Sequence, residues 1–128
     1  DVLEHISDLQ SINKKINKIL KAQGLLIINA PDIDSFASKI LGEKWPFYLS
    51  VHLHYFNEDS LKRIFKNQFE LVCKKPHWQI LELGYIIKRA SEYFYFFKYL
   101  EKLVNILKIN KIQLKYNMGQ TLFIFKKR

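Results

Sequence analysis

Apolar residues recur at helical spacing near the start of the chain. Residues 11–22 place one apolar stripe opposite Lys and Asn, formed by Ile12, Ile16, Ile19 and Leu20. This spacing predicts an amphipathic helix. Ser7 or Asp8 is expected to cap its start, and Gly24 is expected to end it.

Two further helices are predicted after capping residues. Asp32 or Asp34 is expected to begin a helix that Gly42 closes, with one apolar side made of Ile33, Phe36, Ala37, Ile40 and Leu41. Asn57 is expected to begin another that runs to residue 67. The segment 43–56 between them has no helical period and contains a proline, so it is predicted to be a long irregular loop.

Continuous apolar runs predict strands. Residues 25–29 (LLIIN) lack polar alternation, which is typical of a strand buried on both faces of a parallel sheet. Residues 69–74 (FELVCK) predict a second strand, and 85–108 predict one long helical segment dense in aromatic residues. Residues 113–127 hold two strand-like runs around NMGQ, which fits a hairpin or a turn leading into a last strand.

Alternating helices and strands predict an α/β layered fold with a largely parallel sheet and helices on both faces. Only three or four strands are found, whereas doubly wound sheets usually have five or more. The LLIIN run reads like a central strand with nothing upstream to flank it. We therefore expect one domain that contains only part of a larger sheet, with the strands on one side of LLIIN missing.

Composition and charge narrow the class of protein. The chain has 128 residues and is 48% apolar, which fits one globular domain. Its formal charge of +9 fits nucleic acid, an anionic membrane surface or an anionic ligand. The basic residues are spread along the chain, however, and only residues 126–128 form a tight run. We therefore expect no nucleic-acid partner.

The single cysteine, Cys73, excludes an internal disulfide and a zinc site built on cysteine pairs. It favours the reducing cytoplasm as the location. No apolar run reaches the length that a membrane span needs, and no signal peptide is recognised.

The opening stretch DVLEHI carries the first candidate chemistry. Asp1, Glu4 and His5 are spaced so that one helical turn brings their side chains together. His5 has a side-chain type suited to a general base near neutral pH. The alternative is that Glu4 and His5 only cap or orient the next helix.

Two other segments carry candidate sites. His52, His54 and Tyr55 lie in the irregular loop and are candidates to contact a ligand, the alternative being a packed lid. Residues 90–107 have an apolar face with lysines nearby, which fits a membrane interface or a pocket for a lipid-like ligand; ordinary core packing is the alternative. That face is formed by Tyr93, Phe94, Phe97, Leu100 and Leu103/Val104.

An ordered set of short motifs resembles the class I S-adenosylmethionine-dependent methyltransferases, most closely the branch that includes the ubiquinone-biosynthesis O-methyltransferases. The set covers the whole chain in family order. It comprises DVLEHI at 1–6, KAQG at 21–24, LLIINAPD at 25–32, LGEKW at 41–45, HLHYF at 52–56, FELV at 69–72 and the last strand from GQT to a basic pair at 119–127. The chain departs from the family pattern at KAQG and at Gln68, which replaces a glycine.

The resemblance implies a seven-stranded sheet in the order 3-2-1-4-5-7-6, parallel except for an antiparallel last strand. Residue 1 then falls at the end of the fourth strand, where such sheets bind ligands. The chain is accordingly expected to be the C-terminal half of a methyltransferase, one partial domain over residues 1–128 with a helical insertion at 85–112. Asp1 and Val2 are expected beside the cofactor.

The resemblance also implies a function. The expected reaction is methyl transfer from S-adenosylmethionine to a small-molecule acceptor, with O-methylation favoured and His5, Glu4, His52, His54 and Tyr55 on the acceptor side. No metal is favoured, although related quinone-pathway enzymes suggest Mg²⁺ at Asp1, Glu4 and His5 as an alternative. The chain has no G-x-G loop, so alone it is expected to bind the cofactor poorly. A non-catalytic half-fold acting as a binding module or homo-oligomer remains the other reading.

Overall fold

A computed structural model describes residues 2–128, so the predicted cofactor and metal roles of Asp1 lie outside the described residues. The chain divides into two compact units. We call residues 2–77 and 118–128 the sheet unit, and Trp78–Asn117 the inserted unit. The assignment of residues 1–128 to one partial domain with an insertion at 85–112 stays a prediction.

The elements follow one another in this order: a 3-10 turn Leu3–His5, α1 Leu9–Ile19, β1 Leu25–Pro31, α2 Phe36–Leu41, a 3-10 turn Gly42–Lys44, α3 Glu58–Phe65, β2 Phe69–Pro76, β3 Gln79–Glu82, α4 Leu83–Ser91, α5 Phe97–Ile106, β4 Gln113–Tyr116 and β5 Gln120–Lys127. In the described residues, none of the helices is long and apolar enough to cross a membrane.

The sheet unit contains a three-stranded sheet in the order β1-β5-β2. The last strand, β5, lies between the other two and is antiparallel to both, with Ile28 opposite Phe123 and Leu71 opposite Phe125. Both sheets are antiparallel, so the described residues do not show the predicted parallel pairing, whereas the predicted antiparallel last strand is observed as β5. The LLIIN run signalled burial, but the direction of a neighbouring strand depends on distant residues.

The core lies against one face of this sheet. Ile28 and Phe123 are buried with Leu61 and Phe65 of α3, and half-buried Ile12 of α1 packs against the same cluster. On the opposite face Ile27 is 60% exposed, and Leu25 is also exposed. LLIIN is therefore buried on one face only, and the described residues do not show helices on both faces.

Local signals placed most helix starts in the sheet unit. Asp8, not Ser7, caps α1 by accepting the backbone N–H of Ser11 at 2.9 Å. Asn57 caps α3 in a reciprocal capping box with Ser60. Each cap satisfies backbone donors that a helix start leaves free.

The start of α2 differs from the prediction. Its cap is Ser35, whose hydroxyl accepts from Ser38 N–H, and neither Asp32 nor Asp34 fills this role. The carboxylate of Asp32 is buried and pairs with Lys74 at 2.8 Å instead. The apolar side predicted for this short helix is only partly covered, because Phe36 and Ile40 are exposed while Ile33, Ala37 and Leu41 are half-buried.

The inserted unit consists of a two-stranded antiparallel sheet and two helices. β3 pairs with β4, with Gln79 opposite Tyr116. The predicted helix at 85–108 is divided into α4 and α5 by residues 92–96, and β3 was not predicted. Residues 113–127 form no hairpin, since β4 pairs with β3 while β5 joins the other sheet. The alternative of a turn leading into a last strand is the one observed.

Candidate functional site

The 3-10 turn Leu3–His5 is tied to the loop of residues 45–56. The carbonyl of Glu4 accepts the backbone N–H groups of Leu53 at 2.8 Å and His54 at 3.3 Å. Because Asp8 caps α1, Glu4 and His5 do not fill the capping role that the sequence left open for them. The backbone therefore holds two segments about fifty residues apart in sequence against each other.

Glu4, His5 and His52 form a cluster at this junction. One carboxylate oxygen and one nitrogen from each imidazole lie within 4.8 Å of one another. The two imidazole rings meet edge to face, with centroids 4.9 Å apart. Glu4 is 2% exposed, His52 is half-buried and His5 is exposed. The cluster therefore reaches solvent through His5, while its carboxylate is shielded.

Hydrogen bonds to backbone carbonyls fix the tautomer of both histidines. Nδ1 of His5 lies 3.0 Å from the carbonyl oxygen of Val51, and Nδ1 of His52 lies 2.9 Å from that of Phe47. A carbonyl oxygen only accepts, so each Nδ1 must carry the proton. In the neutral rings the lone pair is then on Nε2, the nitrogen able to take a proton or bind a ligand.

Tyr55 lies beside the cluster, and His54 does not join it. The ring of Tyr55 is 5.9 Å from His52 and stacks on Tyr48 at 5.0 Å, while its hydroxyl donates to the carbonyl of Leu49 at 3.1 Å. The ring of His54 lies 6.0 Å from Phe56. Of the three predicted loop residues, His52 joins the cluster, Tyr55 lies beside His52, and His54 meets the turn through its backbone N–H.

Trp45 anchors the loop, a role that sequence analysis missed. It is almost fully buried, and its Nε1–H donates to the carbonyl of Met118 at 2.6 Å. Gly119 has φ of 104°, and a Cβ there would lie against Ser35 and 3.2 Å from Trp45. A lone tryptophan in an irregular loop, together with a glycine in NMGQ, is the available sequence signal for this contact.

An apolar groove of about 430 Å³ starts at the same turn. Its lining comprises Val2, Leu3, Ile6, Ile12, Ile16, Ile27, Ile28 and Asn29. Val2, predicted to lie beside the cofactor, is exposed at this groove. The lining suits the apolar part of a ligand.

The donor chemistry of the cluster suits magnesium poorly. Within residues 2–128 the cluster combines one carboxylate with two imidazoles, whereas Mg²⁺ prefers oxygen ligands. The second carboxylate of the Mg²⁺ alternative, Asp1, is outside the described residues. No chemical step is therefore derived through magnesium.

Comparison with known proteins places the chain in a family. Residues 1–74, more than half of the chain, match the family described as Methyltransferase domain. The matched segment contains the turn Leu3–His5 and the loop that carries His52 and Tyr55. No curated protein matches the chain. The chain therefore belongs to the Methyltransferase domain family.

Proposed function

We propose that this chain forms the acceptor side of an S-adenosylmethionine-dependent methyltransferase that methylates a hydroxyl group on a small molecule. The observation that carries the proposal is the cluster of Glu4, His5 and His52, which lies in the family-matched segment with the Nε2 lone pairs of both histidines defined. Methyl transfer to oxygen needs a positioned nucleophile and a place for its proton. The cluster supplies groups suited to both needs.

The residues have distinct roles in this proposal. When bound, S-adenosylmethionine supplies an electrophilic methyl group. Nε2 of His5, on the exposed side of the cluster, accepts the proton of the acceptor hydroxyl as its oxygen becomes nucleophilic. The buried carboxylate of Glu4 stabilises the imidazolium that forms. His52 and the ring of Tyr55 line the space for the acceptor, and His54 plays no direct part.

We further propose that the cofactor loop lies outside these 128 residues. The four glycines, Gly24, Gly42, Gly84 and Gly119, are isolated, so none forms the G-x-G that lets a backbone approach the cofactor. In residues 2–128 no strand pairs with the outer edge of β1. The order β1-β5-β2 also corresponds to the last three strands, 5-7-6, of the sheet that the resemblance implies. These features support a half-sheet that a further strand completes.

Calorimetric titration of S-adenosylhomocysteine tests the proposal. The 128-residue chain is compared with any longer polypeptide in which it is encoded. We expect binding by the longer form and none by the 128-residue chain. Micromolar binding by the 128-residue chain would show that the cofactor site is built from these residues. Absence of binding in both forms would contradict a cofactor-dependent methyltransferase.

The role of His5 is tested in the form that binds cofactor, with a panel of phenols and sugars as acceptors. We expect His5→Gln to lower kcat by about 10²-fold or more, because a general base is lost. The defect should shrink at high pH with phenols, since these acceptors then ionise in solution. His54→Gln is the matched control, and an equal loss in both variants would refute the specific role.

A second candidate function is a non-catalytic module that associates through its sheet. Two features of β1 favour this alternative. In residues 2–128 its outer edge pairs with no strand, and an unpaired edge is a template for pairing with another chain. The side chains of Leu25 and Ile27 on its open face are also exposed. Light scattering after gel filtration measures the oligomeric state. A stable dimer that Ile27→Lys dissociates, without cofactor binding in any form, would favour the module over the enzyme.

We propose the cytoplasm as the location of this enzyme. Cys73 is a free, half-buried thiol. A reduced cysteine is compatible with a reducing compartment. Its redox state is checked by adding maleimide to intact cells before lysis, denaturing the protein and measuring the fraction of Cys73 that is labelled.

A further inference from the structure

The helix α5 has an unusual distribution of apolar side chains. Six exposed apolar residues form a row that begins just before the helix and runs along it. We call this row the exposed stripe: Tyr95, Phe96, Tyr99, Leu103, Ile106 and Leu107. Tyr95 and Phe96 directly precede α5 and Leu107 follows it. Within the helix, 100° per residue places Tyr99, Leu103 and Ile106 within an arc of about 60°. Ile106 is 76% exposed and Tyr95 is 69% exposed. The stripe is therefore a surface feature along most of α5.

A different face of α5 packs into the inserted unit. Val104 is buried, and Phe97 and Leu100 are half-buried. The sequence had placed Phe97, Leu100 and Leu103/Val104 together on the face offered to a membrane. The structure separates them, since Val104 faces inward while Leu103 belongs to the exposed stripe. α5 thus has one apolar face for its own core and a second one that its unit leaves uncovered.

The charges around the exposed stripe are predominantly positive. Lys98 and Lys102 flank it on α5, and Lys98 Nζ lies 5.2 Å from the centroid of the Tyr95 ring. The acid of α5, Glu101, is half-buried and lies 3.4 Å from the hydroxyl of Ser91. In residues 78–117 seven Lys and Arg stand against three Glu, which gives a formal charge of +4.

Aromatic residues make up half of the exposed stripe. Tyr95, Phe96 and Tyr99 stand at one end of it, and Leu103, Ile106 and Leu107 follow. Tyr and Phe rings combined with aliphatic residues and flanking lysines are typical of helices that lie in the membrane–water interface. The lysine stems can extend along the apolar surface while their ammonium groups reach lipid phosphates.

We propose that the exposed stripe of α5 binds the inserted unit to the surface of an anionic lipid bilayer. The helix lies in the plane of the interface, with Leu103 and Ile106 inserted and Lys98 and Lys102 at the headgroups. Anionic lipid supplies the negative charge that complements the lysines beside the exposed stripe. A second copy of the chain would instead bring together two inserted units that each carry a formal charge of +4. This inference does not depend on methyl transfer.

Vesicle sedimentation of the full chain tests the proposal. The probes are phosphatidylcholine vesicles and vesicles with about a third phosphatidylserine, at low and high salt. We expect binding only to the anionic vesicles, with release at high salt because surface charges are then screened. Lys98→Gln and Lys102→Gln should each weaken binding about fivefold, the usual effect of one lysine near such a surface.

The apolar part of the stripe has its own variant and control. Leu103→Ser with Ile106→Ser should reduce vesicle binding at least tenfold, because two inserted side chains are lost. The matched control is Ile19→Ser with Phe36→Ser, which alters two exposed apolar residues of the sheet unit. This control should bind as the parent does. Circular dichroism verifies that the two lysine variants, the double variant of the stripe and its control all keep their helices.

A site-specific measurement identifies the inserted residues. In a Cys73→Ser background, an environment-sensitive dye on Leu103→Cys should shift to the blue with anionic vesicles, whereas one on Ile19→Cys should not. Equal binding to neutral vesicles, or binding that the stripe variants leave unchanged, would overturn the proposal. Self-association that the stripe variants abolish, without vesicle binding, would assign the stripe to a second copy and also overturn it.

Discussion

The two units use similar apolar residues in opposite ways. In the sheet unit, Leu61, Phe65 and Phe123 have no solvent exposure, and a cluster of aromatic rings fills the space between sheet and helices. In the inserted unit, Ile87 and Val104 are the buried apolar residues of the core. Eleven of the 22 exposed large apolar residues described in 2–128 belong to its forty residues. Apolar composition alone therefore does not distinguish residues that form a protein core from residues exposed on a surface that could bind lipid.

The largest expected effect compares one core residue from each unit. Phe65→Ala should lower the free energy of unfolding by about 3–5 kcal/mol, because a buried ring is lost from a packed cluster. Val104→Ala should cost about 2 kcal/mol, since it removes two methyl groups from a thinner core. Urea unfolding followed by circular dichroism measures both. Equal losses would contradict the difference between the cores.

The anchor of the loop gives the next effect. Trp45→Phe should cost about 2 kcal/mol, because it removes a buried indole and leaves the Met118 carbonyl without that donor. It should also speed hydrogen exchange at the amides of Leu53 and His54, which hold the loop to Glu4. Trp78→Phe, at an exposed position of the inserted unit, is the control. Unchanged exchange in Trp45→Phe would dismiss the anchoring role.

A smaller effect separates the units by pH. Burial raises the pKa of Tyr116 in the inserted unit above its usual value of 10.0. The neutral phenol is favoured by folding, so its contribution to stability is complete below about pH 10 and is lost as pH rises through the folded pKa. Unfolding free energies between pH 9 and 11.5 should fall more steeply for the parent than for Tyr116→Phe. Parallel curves would contradict this.

In the sheet unit the corresponding dependence lies at acid pH. The hydrogen bond from Lys62 lowers the pKa of Glu58 below 4.5. Its contribution is present above about pH 4.5 and is lost as pH falls through the folded pKa. The pair is exposed, so the change should be small. Comparison of the parent with Glu58→Gln from pH 6 to 2 measures it, and a steeper fall in the variant would contradict the sign.

The smallest effect concerns two exposed side chains. Ile19→Ser in α1 and Ile106→Ser in α5 should each change the free energy of unfolding by less than about 0.5 kcal/mol, because both residues are largely solvated. Thermal unfolding without lipid provides the measurement. A large loss for Ile106→Ser alone would mean that the exposed stripe is packed in solution, which would remove the contrast between the units.

Sequence analysis located elements whose causes are local. The apolar run LLIIN predicted β1, and Asn57 predicted the start of α3, because burial of adjacent residues and a capping side chain act within a few positions. Strand direction and the exposed face of β1 could not be read this way. They depend on β5, which follows β1 by about ninety residues. The split of the aromatic helix also depends on how α4 and α5 pack.

The candidate site was predictable residue by residue but not as a cluster. The types of Glu4, His5 and His52 made each a candidate, yet nothing local indicated that His52 joins the first two while His54 faces Phe56. That choice follows from the hydrogen bonds of the loop to Glu4 and to the two imidazoles. Their functional roles stay predictions that the variants above test.

The central position of β5 has a consequence for how the chain folds. Residue 126 pairs with Leu25 across 101 positions and with Glu70 across 56 positions, and the whole inserted unit lies within the shorter loop. Until β5 arrives, the inner edges of β1 and β2 have no partner and the aromatic cluster lacks Phe123 and Phe125. Such long-range closure slows folding and lengthens the time during which strand edges are open to aggregation. Chaperone demand during synthesis should therefore be set by the time needed to make residues 77–119.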